Sequence, residues 1–192
     1  MDNPPLLASL RTRLEGCRRL AVLAVGSTQR GDDAAGVLAG QELQHRLQSS
    51  HRGPEVEVFL GEAVPENLTG AIRRFAPTHV LVLDAADMGL PAGGATIVDL
   101  EQADGNLSAS THGLPMSVLA AYLEESVGCK VVAVGIQPAA GSAEGLRLSL
   151  RRGPHRGPLD YRAVPSPQVR HAAKELAGLI IAALDSLASE RA

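Results

Sequence analysis

Apolar residues along the 192-residue chain fall into two kinds of run. Residues 20–25 (LAVLAV), 79–84 (HVLVLD) and 130–136 (KVVAVGI) are short and almost continuously apolar, which predicts strands buried on both faces. Residues 55–60 (EVEVFL) alternate charged and apolar positions, as a strand nearer a sheet edge does. Residues 95–100 (ATIVDL) are a further strand candidate. The intervening segments keep helical spacing instead. Val37, Leu38, Leu43 and Leu47 mark a helix over 32–47. A second runs from Pro65 to Phe75, with its proline in the first turn and Pro77 at its end. Leu114, Val118, Leu119, Tyr122 and Leu123 mark a third over 114–126, and residues 167–187 form a terminal helix. Gly53-Pro54 breaks the chain between elements.

Strands alternating with helices predict an α/β fold with a mostly parallel sheet and helices on both faces. Such sheets place the ligand site beyond the carboxyl ends of the strands. The length suits a single domain. We divide the chain into an N-terminal arm, 1–19, read as a helical arm or as unstructured chain, and one domain, 20–192. Within that domain 139–165 is an irregular excursion rich in Gly, Pro and Arg.

Composition narrows the function. Hydrophobic residues make up 45% and aromatics 2%, with no Trp, so Leu, Val, Ile and Ala must build the core. Base stacking on single-stranded nucleic acid has almost no side chains to use. A formal net charge of -3 without a basic face argues against duplex binding. Cys17 and Cys129 are too few and too isolated for a disulfide framework or a zinc motif, and reduced thiols are expected. The first residues lack the basic start and apolar core of a secretory signal, and no apolar run approaches the ~20 residues of a membrane span. A cytoplasmic protein with no membrane association is therefore expected, monomeric by default.

The candidate chemistry lies at the strand exits. Residues 26–36, GSTQRGDDAAG, set Asp32 and Asp33 side by side just after the first strand. One or both can cap the helix that follows. The glycines can form a phosphate turn, although the spacing fits neither nucleotide motif. Or one Asp caps while the other faces the crevice as a ligand. Asp84 ends the third strand at the same edge of the sheet, and Asp87, three residues later, reads as solvated. His112, in STHGLPMSVL, precedes a helix that Ser110 or Thr111 can cap and whose first turn suits Pro115. An exposed histidine is the plain alternative there. Two carboxylates and an imidazole make an open ligand set for a divalent metal of intermediate softness.

These segments together resemble a known family. GSTQRGDDAAG looks like the Gly-Asn-x-x-x-x-Asp-(Asp/Glu)-Gly-x-Gly signature of the endopeptidases that mature the large subunit of nickel–iron hydrogenases. VLDAADMG resembles their second acidic segment, STHGLPMSVL their histidine segment, and VGIQP their fifth strand and its exit. GEAVPENL and APTHVLVLDAADMGLPAGG look closest to the branch serving hydrogenase 3 of formate hydrogenlyase. Ser27 stands where the family has Asn, and Ala34 where it has Gly. The resemblance implies a three-layer α/β/α fold with a twisted five-stranded sheet, one strand antiparallel, for which 95–100 is the candidate. It implies removal of a C-terminal peptide from a large-subunit precursor once nickel is inserted. It places the metal contacts on Asp33, Asp84 and His112, with Asp33 and Asp84 as catalytic carboxylates, and leaves Asp32 for structural work.

The nickel is expected to arrive with the substrate, so the purified protein should be largely metal-free. No serine or cysteine carries a persuasive nucleophile signature. Arg147, Arg151, Arg152, Arg156 and Arg162 crowd the excursion, where a solvated loop is preferred over a surface for an acidic partner. A non-catalytic nickel-dependent docking or chaperone protein would use the same three ligands. A nucleotide-binding doubly wound enzyme is disfavoured by the missing glycine spacing.

Overall fold

A computed structural model describes residues 4–48, 53–100, 115–139 and 164–189. His112 and the five arginines of the excursion lie outside these residues. Five strands, β1 (Arg19–Val25), β2 (Glu55–Glu62), β3 (His79–Ala85), β4 (Ala95–Val98) and β5 (Lys130–Ile136), form one sheet in the order β2-β1-β3-β5-β4. β1 pairs parallel with β2 and β3, β3 pairs parallel with β5, and β4 runs antiparallel to β5. The antiparallel strand is the one expected, cut short at Val98. The charged outer positions of β2 put Glu55, Glu57 and Glu62 at the sheet edge, where charge discourages a further strand from pairing.

Alternation along the strands sorts the core into two layers. Leu20 and Val22 of β1, Leu81 and Leu83 of β3, and Val132 and Val134 of β5 face one side. They meet α1 (Pro4–Arg13), α2 (Ala35–Leu47) and the long α5 (Pro167–Ser189) there. Ala21, Leu23, Val80 and Val82 face the other, against α3 (Thr69–Phe75) and α4 (Met116–Val127). A strand covered on both faces has no polar side, which is why β1 and β3 read as unbroken apolar runs. Phe59 and Phe75, the chain's two phenylalanines, meet edge to face with centroids 6.1 Å apart.

Pro4–Arg13 is helical, the first of the two alternatives. Leu6, Leu10 and Leu14, spaced one turn apart, are buried with Cys17 in the same cluster as α5. α4 starts at Met116, and Leu114 lies outside the described residues. Pro115 sits just outside it in an extended conformation, φ −58° and ψ 142°, and Ser110 and Thr111, the expected caps, lie outside the described residues.

Candidate active site

The topology defines a crevice. From β1 the chain crosses to β2 on one side, and from β3 it proceeds toward β5 and β4 on the other. The carboxyl ends of β1 and β3 are therefore the point where strand order reverses, the usual place for a ligand in an open α/β sheet. Asp33 follows β1, in a 3₁₀ turn over Gly31–Ala34, and Asp84 is the penultimate residue of β3.

Two glycines draw these residues together. Gly26 takes φ +126°, and a Cβ there would lie 1.9 Å from the Asp33 carbonyl oxygen, so the strand exit and the turn share space that only glycine leaves. A Cβ on Gly36 would come within 2.1 Å of the Leu83 carbonyl oxygen and 2.4 Å of the Val25 carbonyl oxygen. The amino end of α2 thus rests on the tips of β1 and β3, three residues after Asp33 and one residue before Asp84. Opposite the tip of β1, β2 carries one extra residue, Gly61, between the partners of Ala24 and Val25.

The adjacent carboxylates have separate partners, and the residues at the cap positions of the turn and of α2, Arg30 and Ala34, make no side-chain cap hydrogen bond. Asp32, only 1% exposed, is held by the chain beyond β5 and by the residue before α5. Its Oδ2 accepts the Ala139 N–H at 2.8 Å and its Oδ1 the Ser166 N–H at 2.5 Å. Asp33 is half-buried, and its Oδ2 accepts the Ser27 N–H at 2.9 Å. The repulsion between neighbours is thus met by main-chain donors on two sides. Both departures from the family signature are accommodated. Ser27 engages Asp33 through its main chain, which any residue supplies. Ala34 is right-handed helical at φ −72° and ψ −2°, where glycine is not needed.

Asp84 is 0% exposed. Its Oδ1 accepts the Ala85 N–H at 2.7 Å. By alternation with Val80 and Val82 it shares the sheet face that carries α4, and the described chain resumes at Pro115, at the amino end of that helix. Burying a carboxylate is costly, and this one lies at a strand tip beside the switch point of the sheet. Among the described residues no three His, Cys, Asp or Glu side chains come together to hold an ion.

The loop after β3 is held by a residue that sequence reading did not single out. Gln137, 7% exposed at the exit of β5, accepts the Met88 N–H at 2.7 Å and the Leu90 N–H at 3.2 Å on Oε1. Its Nε2 donates to Asp87 Oδ1 at 3.2 Å, so Asp87, expected to be merely solvated, is exposed yet anchored. The polar residue closing the apolar run KVVAVGI was the available signal.

Neither thiol belongs to this site. Cys17 precedes β1 and Cys129 precedes β5, at the opposite, amino ends of the parallel strands. A seven-residue strand spans about 20 Å. Burial pushes the Cys129 thiol above its ordinary value, the charge of Glu124 adding to this and a backbone hydrogen bond opposing it.

With this geometry in place, similarity to known proteins settles the family. A family model, HycI hydrogenase maturation protease, matches residues 38–153, a span that contains Asp84 and His112 and begins just after Asp33. The hydrogenase 3 maturation protease of Escherichia coli K12 is 38% identical over 117 residues, 61% of this chain and 71% of that protein. The crystal structure of a NiFe hydrogenase maturation protease HycI from Thermococcus kodakarensis KOD1 superposes with a TM-score of 0.69 at 30% identity, covering 92% of this chain and 98% of that one. The solution structure of the endopeptidase HycI from E. coli gives 0.61 at 26% identity, covering 88% and 90%. The chain belongs to the hydrogenase maturation protease family, and its class of chemistry is peptide hydrolysis.

Proposed function

We propose that the protein is the endopeptidase that removes the C-terminal extension of a nickel-loaded nickel–iron hydrogenase large-subunit precursor, and that it reads the substrate's own nickel as the sign of readiness. The placement of Asp33 and Asp84 at the carboxyl ends of β1 and β3, the switch point of the sheet, supports this reading. In it, Asp33, Asp84 and His112 contact the nickel that the precursor's thiolates already hold. Oxygen and imidazole nitrogen are donors this ion accepts.

The reaction needs an attacking group. Both thiols lie at the wrong end of the sheet, which leaves water as the nucleophile in this proposal. The half-buried Asp33 is the carboxylate that meets it, taking its proton as general base. The buried Asp84 is the deeper contact, fixing the scissile segment through the substrate's ion. A nickel-free precursor lacks the element that bridges enzyme and substrate and leaves these polar groups without their match, a strong basis for rejection. The chain acts as a monomer in the cytoplasm and holds little metal of its own. In support, no helix among the described residues is long and apolar enough to cross a membrane, and Cys17 and Cys129 are not joined in a disulfide.

The test is to incubate purified protein with nickel-loaded and with nickel-free precursor and weigh the products by mass spectrometry. Loss of a C-terminal peptide from the loaded precursor alone is the expected result. Stable binding without cleavage would replace the peptidase by a docking protein. Equal cleavage of both forms would remove nickel from the recognition step.

A further inference from the structure

Beyond the carboxylates, one buried side chain organises the rim of the crevice. β3 and β5 pair in register through Asp84–Gly135 and Ala85–Ile136, and the Ala86 N–H then donates to the Ile136 carbonyl at 3.0 Å. There the sheet ends, and Gln137 continues it. Its side-chain oxygen takes two main-chain N–H groups, of Met88 and Leu90, and its amide nitrogen donates to Asp87. The two N–H donors fix which end of the amide is oxygen. Its main chain adds two more bonds: the Gly93 N–H to its carbonyl and its own N–H to the Gly94 carbonyl, each 2.8 Å. Gly135 allows the close approach, since a Cβ there would lie 2.7 Å from Ala86 Cβ and 2.9 Å from Met88 Sδ. The whole loop leaving Asp84 is thereby templated on one residue.

We infer that Gln137 is a positioning residue: through Met88, Leu90 and Asp87 it fixes the loop at the exit of β3 and so the presentation of Asp84 to the substrate. This inference rests on the peptidase reading above. An amide is the one neutral group that serves both needs, accepting from two N–H groups while donating to a carboxylate. A hydrophobe of the same size would leave two main-chain donors without their acceptor, and a carboxylate would face Asp87 across 3.2 Å.

Gln137→Glu keeps the acceptor and replaces the donor by a like charge. Adding Asp87→Asn restores a donor–acceptor pair with its direction reversed. Three readouts separate positioning from bulk stability: kcat and KM for processing of nickel-loaded precursor, amide hydrogen exchange at Met88 and Leu90, and the melting temperature. For Gln137→Glu, kcat is expected to fall about tenfold to a hundredfold, the scale of a small misplacement at an active site. KM stays in place and the two amides lose protection. Gln137→Glu with Asp87→Asn should recover both rate and protection. Gln137→Met serves if the charged variant fails to fold; it should lose rate and protection without rescue by Asp87→Asn. A wild-type rate and protection in Gln137→Glu, or a slow Gln137→Glu that Asp87→Asn does not restore, would overturn the inference. If the wild-type protein leaves loaded precursor intact, the peptidase reading fails instead. Exchange at Met88 and Leu90 then still decides the role of Gln137: unchanged protection in the variants refutes it.

Discussion

Changing Asp32 and Asp33 separately to Asn tests whether neighbouring carboxylates hold different jobs. Asp32 is buried and accepts two main-chain N–H groups, at 2.8 Å from Ala139 and 2.5 Å from Ser166. These two residues flank the excursion, so one side chain ties both of its ends to the turn after β1. Hydrogen bonds to a charged acceptor contribute about 1.5–3 kcal/mol each. Asn keeps one acceptor at neutral strength and turns an NH₂ toward the other donor. The expected loss is about 2–4 kcal/mol, or a melting temperature lower by about 5–15 °C for a chain of this size. Asp33→Asn can still accept the Ser27 N–H through Oδ1, and it removes one charge from an acidic corner, so its melting temperature should shift by less than about 3 °C. Scanning calorimetry of both variants decides the matter, with precursor processing measured alongside. Asp32→Asn should be unstable, and Asp33→Asn stable and inactive. Equal melting temperatures for Asp32→Asn and wild type would refute the division of labour, as would a fully active Asp33→Asn.

Further outcomes follow from the same geometry. Gly36→Ala forces a methyl to within 2.1 Å of the Leu83 carbonyl, so α2 must lift from the tips of β1 and β3; urea unfolding should show a loss of about 2–4 kcal/mol. His79 is buried at the opposite end of β3, and desolvation first, then the charge of Lys130, lowers its pKa. As pH falls below the unfolded value near 6.5, the unfolded chain takes up a proton that the folded chain refuses, so stability drops until pH passes the folded pKa. The slope approaches about 1.4 kcal/mol per pH unit, and His79→Leu should flatten it in urea titrations between acid and neutral pH. Cys129→Ala should process precursor at the wild-type rate; a lost activity would return the thiol to the mechanism.

Much of this architecture is legible because two-sided burial leaves a simple signature. β1, β3 and β5 sit between helical layers and show it as unbroken apolar runs, and β2, at the edge, alternates. The antiparallel direction of β4 has no local signature: ATIV reads the same in either direction, and the resemblance supplied it. The helical start at Pro4–Arg13 was one of two alternatives, since Leu6, Leu10 and Leu14 have a partner only once α5 is in place. Asp33 and Asp84 could be picked out by their position at strand exits. Asp32 could not be assigned its partners, because Ala139 and Ser166 lie more than a hundred residues away and donate through the main chain. Gln137 was missed for much the same reason: most of its bonds run to main-chain groups, which carry no side-chain identity to read. His112 lies outside the described residues, so its place in the ligand set stays a proposal.

The central claim is that the carboxylates at the switch point process a substrate marked by nickel, and Asp84→Asn tests it most directly. The variant keeps the shape of the side chain and an acceptor for the Ala85 N–H while removing the charge. Mixed with nickel-loaded precursor, a folded Asp84→Asn protein should leave the C-terminal extension intact under conditions where the wild type releases it. Release at the wild-type rate by that folded variant would contradict the account.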